Sequence, residues 1–333
     1  MDPLTQGVVG ALVAQTTASK DKIGKACMIG ALAGMAPDLD VLIRSSGDPL
    51  LALEFHRHFT HSLLFVPIGG LICALALFPL LGKRWNIGFW ELAKWCWLGY
   101  ATHGLLDAFT SYGTQLLWPF SNYRVAWDGI SVIDPLFTLP ILGLLIYAAR
   151  KGKASAATLG IIWGASYLAL GLVQHQRAMN IGETIAAERG HTPINLEAKP
   201  SFANLIVWKV VYETEDNYHV DAVRPGLTGN KHWAGDSIPK LDIERDLPWL
   251  DPLSQQAKDI ERFRWFSAGY IAVDKHNPNQ IIDIRYSMLP QKIDPLWGIR
   301  LAQTSDATAP AMYYTQRSDS SRAINELYEM LFL

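Results

Sequence analysis

The sequence has few cysteines and no excess of charge of either sign. Its three cysteines, Cys27, Cys73 and Cys96, lie in apolar stretches and form no CxxC pair, which argues against a disulfide scaffold and a cysteine-rich zinc site. The 29 basic and 31 acidic side chains nearly cancel, and no block rich in lysine or arginine occurs. We therefore expect no nucleic-acid partner.

The start of the chain also lacks the basic segment of a cleavable signal peptide, so we expect the N-terminus to be retained. Half of the 333 residues are hydrophobic, but they are unevenly distributed. Residues 1–175 hold long apolar stretches and predict a membrane-embedded domain. Residues 176–200 predict a helical linker, and residues 201–333 have the charge density of a soluble domain.

About six apolar segments predict a polytopic α-helical membrane bundle. Segments 62–82 and 155–173 are uncharged and long enough to span a bilayer, and segment 132–149 carries only Asp134. Segment 89–109 is weaker because four polar side chains interrupt it: Glu91, Lys94, His103 and Asp107. The first two segments, 4–18 and 23–36, are short for a full crossing.

The soluble part predicts a small α+β or mainly β domain. Residues rich in β-branched and aromatic side chains favour strands at 202–214, 218–223, 265–273, 280–288 and 297–302. Helical patterns occur at 251–263 and 319–331.

The basic residues predict the topology of the bundle. Three loops carry most of them: Lys20, Lys22 and Lys25; Lys83 and Arg84; and Arg150, Lys151 and Lys153. The positive-inside rule places these loops in the cytoplasm, so both termini and the C-terminal domain would be extracytoplasmic. The unusual polar residues then gather at the outer end of the bundle.

His103 and Asp107 are four residues apart on a predicted helix, so their side chains lie on one face. A charged carboxylate at mid-bilayer costs about 2.5–3.5 kcal/mol, which requires a compensating partner. The pair could hold a metal ion, act as an acid–base pair, or only join two helices by a hydrogen bond. The spacing alone does not decide among these roles.

Two further clusters fall at the same predicted end. Asp38 and Asp40 follow Pro37 at a helix end, where two close carboxylates repel unless a cation or a shared proton relieves them. His56, His58 and His61 surround Arg57, which could grip a phosphate or carboxylate. Imidazoles combined with carboxylates suit zinc, with manganese or iron as alternatives.

Other polar residues predict supporting roles around these clusters. Thr60 and Thr110 add hydroxyls, and Asp134 before Pro135 could cap a helix or orient a ligand histidine. The alternatives without a functional role are a solvated loop for the two aspartates and an interfacial basic segment for the histidines.

Taken together, these motifs resemble the YdjM-like family of membrane-bound, metal-dependent hydrolases. The shared features lie in the first 180 or so residues: Met1-Asp2-Pro3-Leu4-Thr5, Pro37-Asp38-Leu39-Asp40, His56-Arg57 with Thr60-His61-Ser62, and His103 to Asp107 with Thr110. The resemblance implies metal-dependent hydrolysis. It also implies a histidine after Leu-Thr, where this chain has Gln6, whose carbonyl would be a weaker ligand.

The sequence as a whole predicts a multi-pass inner-membrane hydrolase acting at the outer membrane–water rim. We expect a divalent metal bound by five side chains: Asp38, His56, His61, His103 and Asp107. We expect catalytic roles for Asp40 and Arg57, with Asp40 or Asp38, whichever does not bind the metal, as proton acceptor. We expect membrane lipids as partners and an amphiphilic or lipid-linked ester or phosphoester as substrate. Gln6 and His58 complete the supporting residues. The alternatives are a transporter or channel with a metal or proton site, and a non-catalytic anchor that presents a binding domain.

Overall fold

The computed structural model describes residues 1–304, 306–316 and 320–332 of the chain. The chain divides into two compact units. The first consists of Met1–Leu42, Phe55–Val173 and Phe202–Asn204. The second consists of Ile43–Glu54, Gln174–Ser201 and Leu205–Leu333.

The N-terminal half is helical. Its helices are α1 (Pro3–Thr16), α2 (Ile23–Met35), the short α3 (Leu51–Phe55), α4 (Val66–Leu77), α5 (Phe89–Ala108), α6 (Pro135–Lys151) and α7 (Ala154–Glu188). Three 3₁₀ turns, Ala36–Leu42, Phe59–His61 and Leu63–Phe65, and a π turn, Phe78–Gly82, complete it.

Glycines let α1, α2 and α5 pack with their backbones in contact. A Cβ atom on Gly99 of α5 would lie 2.4 Å from the carbonyl oxygen of Gly30 on α2. A Cβ on Gly10 of α1 would lie 2.7 Å from the same oxygen. Small residues at helix crossings allow such close approach in membrane bundles. The contact fixes the end of α2 beside the start of α1 and the end of α5.

Two helices among the described residues are long and apolar enough to cross a membrane: Leu63–Gly82, which contains α4, and α7. Few residues of the first are buried inside the protein, as expected for a lipid-facing helix. The prediction of about six spanning segments is therefore not supported. Helices α1, α2 and α6 are too short, and α5 carries Glu91, Lys94 and Asp107.

The second unit contains two four-stranded antiparallel sheets, each with its strands in sequence order. The first sheet comprises β1 (Asn195–Pro200), β2 (Trp208–Glu213), β3 (Asn217–Arg224) and β4 (Lys231–Pro239). The second comprises β5 (Ile271–Val273), β6 (Gln280–Asp283), β7 (Trp297–Arg300) and β8 (Met312–Thr315). Three helices accompany them: α8 (Ile243–Asp246), α9 (Gln255–Phe266) and α10 (Ser320–Phe332).

This C-terminal β-sheet domain confirms the predicted fold class of the tail, but several boundaries differ. The predicted helical linker 176–200 is helical only to Glu188, and its last six residues form β1. The predicted strand 265–273 is a strand only at its end, Ile271–Val273 (β5), and its first two residues are the end of α9. Ser254 caps the start of α9, because its side chain accepts from the Ala257 amide. The strands β4 and β8 were not predicted, and the predicted start of the last helix at residue 319 lies outside the described residues.

Candidate metal centre

Three helix ends of the first unit bring the cluster together. The 3₁₀ turn that extends α2 carries Asp38 and Asp40, and the turn Phe59–His61 ends on His61. The last turn of α5 carries His103 and Asp107 on one face. The predicted meeting of these sequence clusters is therefore observed in the structure.

Four side chains converge on one point: Asp38, His61, His103 and Asp107. Each offers a ligand atom, and the four atoms lie within 4.8 Å of one another. The Nε2 atoms of His61 and His103 lie 3.5 Å and 3.2 Å from Asp38 Oδ1. His61, His103 and Asp107 are buried, whereas the Asp38 side chain is 18 % exposed. Asp38 thus forms the open side of the cluster.

The orientation of both imidazoles directs Nε2 into the cluster. His103 Nδ1 lies 2.5 Å from the carbonyl oxygen of Gly34, which can only accept a hydrogen bond. His61 Nδ1 lies 3.2 Å from Asp40 Oδ2 and 3.0 Å from Thr60 Oγ1. In the neutral form each Nδ1 therefore carries the proton and each Nε2 carries a lone pair. This is the arrangement by which outer partners orient metal-binding histidines.

Four buried atoms around the cluster make no hydrogen bond: Gln6 Oε1, Arg57 Nε, His61 Nε2 and Asp107 Oδ2. His61 Nε2 and Arg57 Nε lie 3.3 Å and 3.2 Å from Asp107 Oδ2. A lone pair facing a carboxylate oxygen is repulsive unless a positive charge lies between them. The donor set of two imidazole nitrogens and two carboxylate oxygens fits a divalent cation.

The carboxylates also make the cluster a strong acceptor of positive charge. Burial lowers the pKa of His61, but the adjacent carboxylates of Asp107, Asp38 and Asp40 more than offset this and raise it to about 10. Burial raises the pKa of Asp38, yet hydrogen bonds from His103 and His61 hold it well below its usual range. The charge of these carboxylates thus favours a cation or a proton at this point.

Asp40 is held by donors on every side. It accepts from His56 Nδ1 at 2.9 Å, from the Arg57 amide at 3.0 Å and from the Thr60 hydroxyl at 2.9 Å, and it faces His61 Nδ1. A carboxylate with this many donors is poorly placed to take a proton. The geometry favours an orienting role for Asp40. Of the two predicted proton acceptors, Asp38 is the more exposed.

His56 lies outside the four-atom cluster, in a second candidate ligand set with Asp38 and Asp40. Its side chain is 39 % exposed, so its hydrogen bond to Asp40 lies at the entrance rather than at the centre. His58 packs against the rings of Phe55 and Trp118, both at 5.3 Å between centroids. The three predicted histidines of this segment therefore have three different environments.

Arg57 is buried beside the cluster with a left-handed backbone, φ 65°. Its guanidinium donates to Thr110 Oγ1 at 2.8 Å, and its Nε lies 3.2 Å from Asp107 Oδ2. The same group lies over the Tyr112 ring, 5.2 Å from the centroid. Arg57 thus compensates the charge of Asp107 and contacts the aromatic ring of Tyr112.

Gln6 supports Asp107 through its amide nitrogen, while its Oε1 is buried without a hydrogen-bond partner. Its Nε2 donates to Asp107 Oδ1 at 2.9 Å and to the His103 carbonyl at 3.3 Å. The α-amino group of Met1 pairs with the same carboxylate oxygen. Thr110 donates to the Asp107 carbonyl at 2.7 Å. These contacts leave Oδ2 as the one oxygen of Asp107 that faces His61.

Asp134 is a helix cap. Its carboxylate accepts from the amides of Leu136 and Phe137 at the start of α6 and from the Tyr167 hydroxyl at 2.9 Å. The predicted cap is confirmed, and these hydrogen bonds do not go to a histidine of the cluster.

Comparison with known proteins places this arrangement in a family. The sequence profile of the family described as YdjM inner membrane protein matches residues 1–178, which include every residue of the cluster. The chain belongs to this family. The uncharacterized protein YfhP of Bacillus subtilis (strain 168) is 28 % identical over 280 residues, 80 % of each chain. Inner membrane protein YbcI of Escherichia coli (strain K12) is 35 % identical over 111 residues, 31 % of this chain and 60 % of that protein.

The YdjM resemblance inferred from the motifs is therefore confirmed. Family membership and the two apolar helices together support a membrane location for the chain. The alignment with YfhP is longer than the YdjM match, so this similarity extends into the second unit. No solved structure matches the chain.

Proposed function

We propose that this YdjM-family protein is a membrane-bound metal-dependent hydrolase acting at the outer membrane–water rim on an amphiphilic or lipid-linked ester or phosphoester. The observation that carries the proposal is the pair of unpartnered buried atoms, His61 Nε2 and Asp107 Oδ2, at the meeting point of four potential ligands. Burying such atoms is unfavourable without a compensating cation.

Asp38, His61, His103 and Asp107 would hold the ion, for which zinc is favoured over manganese or iron because two ligands are imidazoles. Such an ion supplies Lewis-acid polarisation of the scissile group and lowers the pKa of water. Asp40 orients His61, and Arg57 balances negative charge beside Asp107. Asp38, the most accessible of the four, is the carboxylate that a substrate would meet first.

The transporter alternative requires polar groups that continue to the other end of the helices. At that end Glu91, in the first turn of α5, pairs with Lys22 at 2.8 Å. The two charges neutralise each other, which favours the hydrolase over an ion pathway. A non-catalytic anchor remains the second candidate, because the second unit is a folded β-sheet domain of its own.

Metal analysis of the full chain in detergent tests the central claim. Wild-type protein should retain a divalent metal, and His61→Ala and Asp107→Asn should each lose it, because each removes one of four ligands. His276→Ala, an exposed histidine of the second unit, is the matched control and should bind as wild type does. Equal metal content in all four proteins would refute the metal centre.

Hydrolysis is tested separately with metal-loaded protein. Carboxyl-ester and phosphoester lipids should be cleaved by wild type and not after chelation or in Asp107→Asn. Bound metal without turnover of any lipid ester would favour the anchor.

We also propose that the bundle is multi-pass and that the second unit is extracytoplasmic, on the strength of the three lysine-rich loops. Asn122 and Lys151 are exposed and suit cysteine labelling with a membrane-impermeant reagent. Labelling of Asn122→Cys but not Lys151→Cys in intact cells is expected. The reverse pattern would invert the topology.

A further inference from the structure

An apolar groove of about 180 Å³ lies in the first unit between α1, α5, α6 and α7. Every residue that lines it is apolar, including Val9 and Leu12 of α1, Leu106 of α5, Phe137 of α6, and Gly160 and Gly164 of α7. A space of this kind offers no hydrogen-bond partner to water and would stay dry or hold an apolar group.

Two glycines keep the groove open. Gly160 and Gly164 are four residues apart, so they lie on one face of α7 and leave it without side chains there. A Cβ on Gly164 would lie 3.5 Å from the Phe137 ring, in ordinary contact, and a Cβ on Gly160 would lie 3.0 Å from Leu12. A larger side chain at either position would therefore fill the space.

The groove and the candidate metal centre share two helices, α1 and α5. Leu106, one of its walls, directly precedes Asp107 on α5. On α1, Val9 follows Gln6 by three residues, about 4.5 Å along the helix, and Gln6 donates to Asp107. The same two helices thus carry polar site residues and, immediately beside them, the walls of an apolar space.

The surroundings of the groove indicate its occupant. Its α7 wall belongs to one of the two helices suited to cross a membrane. The flanking side chains of Leu159 and Ile162 are more than half exposed, as expected for contact with lipid tails. We propose that the groove binds the acyl chain of a lipid whose head group reaches the metal centre. This inference rests on the proposed hydrolase and names its substrate class as an acyl lipid.

Photolabelling tests the groove without relying on catalysis. The full chain is reconstituted in nanodiscs with a phospholipid that carries a diazirine in the middle of one acyl chain, irradiated and mapped by mass spectrometry. Adducts on residues 9–13 and 161–168 should exceed those on the exposed apolar face of α4, which reports ordinary contact with bulk lipid. Gly164→Leu should reduce groove adducts several-fold and leave α4 adducts unchanged.

Gly143→Leu is the matched control, because Gly143 of α6 is exposed and nothing lies within 4 Å of an added Cβ. It should label as wild type does. If Gly164→Leu does not fold, Gly164→Ala should give a smaller reduction in the same direction. Groove labelling no stronger than α4 labelling, or labelling unaffected by both Gly164 variants, would overturn the proposal.

Metal content separates failure of the groove from failure of the metal centre. Gly164→Leu should keep its metal while it loses groove labelling, and Asp107→Asn should keep the labelling while it loses metal. Labelling in a chain that binds no metal would retain the acyl site and remove the hydrolase. Metal-dependent turnover of soluble esters without groove labelling would retain the hydrolase and remove the acyl site.

Discussion

Each unit of the protein buries an aspartate among histidine and arginine side chains, and the two differ in how completely the carboxylate is satisfied. The Asp221 carboxylate of the second unit accepts four hydrogen bonds. Two come from the Arg189 guanidinium at 2.6 Å and 2.8 Å, one from His232 Nε2 at 3.0 Å and one from the Gly235 amide at 3.1 Å. Asp107 Oδ2 of the first unit makes no hydrogen bond, although it lies 3.2 Å from Arg57 Nε and 3.3 Å from the unpartnered His61 Nε2.

The comparison separates a structural network from a candidate site by a physical criterion. A buried polar group with all its hydrogen bonds stabilises one conformation, whereas an unsatisfied one is retained only where something else compensates it. Both aspartates are buried to the same degree, so burial alone would not distinguish them. The unpaired atoms that face each other among four potential ligands distinguish Asp107 from Asp221.

The largest expected effect is the loss of stability in Asp221→Ala. Removal of this carboxylate leaves Arg189 unpaired and should destabilise the second unit by about 2–3 kcal/mol, below the range for a fully buried pair because the Arg189 side chain is 31 % exposed. Hydrogen exchange of β2 and β3 in the full chain measures it. Glu215→Ala, in the exposed turn between these strands, should have no effect, and metal content should be unchanged in both. Metal loss in Asp221→Ala would erase the contrast between the units.

A smaller effect is expected in Asp40→Asn. Because Asp40 orients His61 through Nδ1, its replacement should weaken metal binding by about 10–100-fold without abolishing it. Competition with a calibrated chelator measures the affinity. Asp134→Asn is the control, since this carboxylate is bonded to the α6 amides and Tyr167 and its replacement should leave the affinity intact. Complete loss of metal in Asp40→Asn would make Asp40 a ligand itself.

The smallest effect concerns pH and the second unit. Burial, the neighbouring His191 and the Arg189 guanidinium lower the pKa of His219 below its ordinary 6.5. The unfolded chain therefore binds a proton first as the pH falls below about 6.5, so the stability present above that pH declines. His219→Gln should reduce the decline in melting temperature between about pH 7.5 and about pH 5.5, an interval that extends roughly one pH unit to either side of the ordinary histidine pKa. An identical decline in the variant would assign it to other groups.

Side-chain spacing predicted much of the candidate site. The four-residue separation of His103 and Asp107, and the aspartates after Pro37, placed ligands at helix ends that the structure does bring together. Spacing could not show that the Gly34 carbonyl orients His103, because a backbone acceptor leaves no mark in the sequence. Nor could it show that His56, predicted as a ligand, lies outside the four-atom cluster and bonds to Asp40.

The fold was predicted less evenly. The two uncharged segments correctly predicted the two helices that are suited to cross a membrane. Hydropathy alone overestimated the number of further membrane-spanning helices, because short buried helices are apolar too. β4 was missed because its exposed residues are polar and do not follow the alternation typical of a half-buried strand. The Asp221 network joins residues far apart in sequence, so no local pattern indicates it.

The glycine contact between α2 and α5 has a mechanical consequence. Gly99 lies four residues before His103, and the turn with Asp38 follows α2 directly. Since backbone meets backbone at Gly30, the two helices are expected to move as one body. The separation of Asp38 and His103 would then be preserved when the rest of the protein shifts.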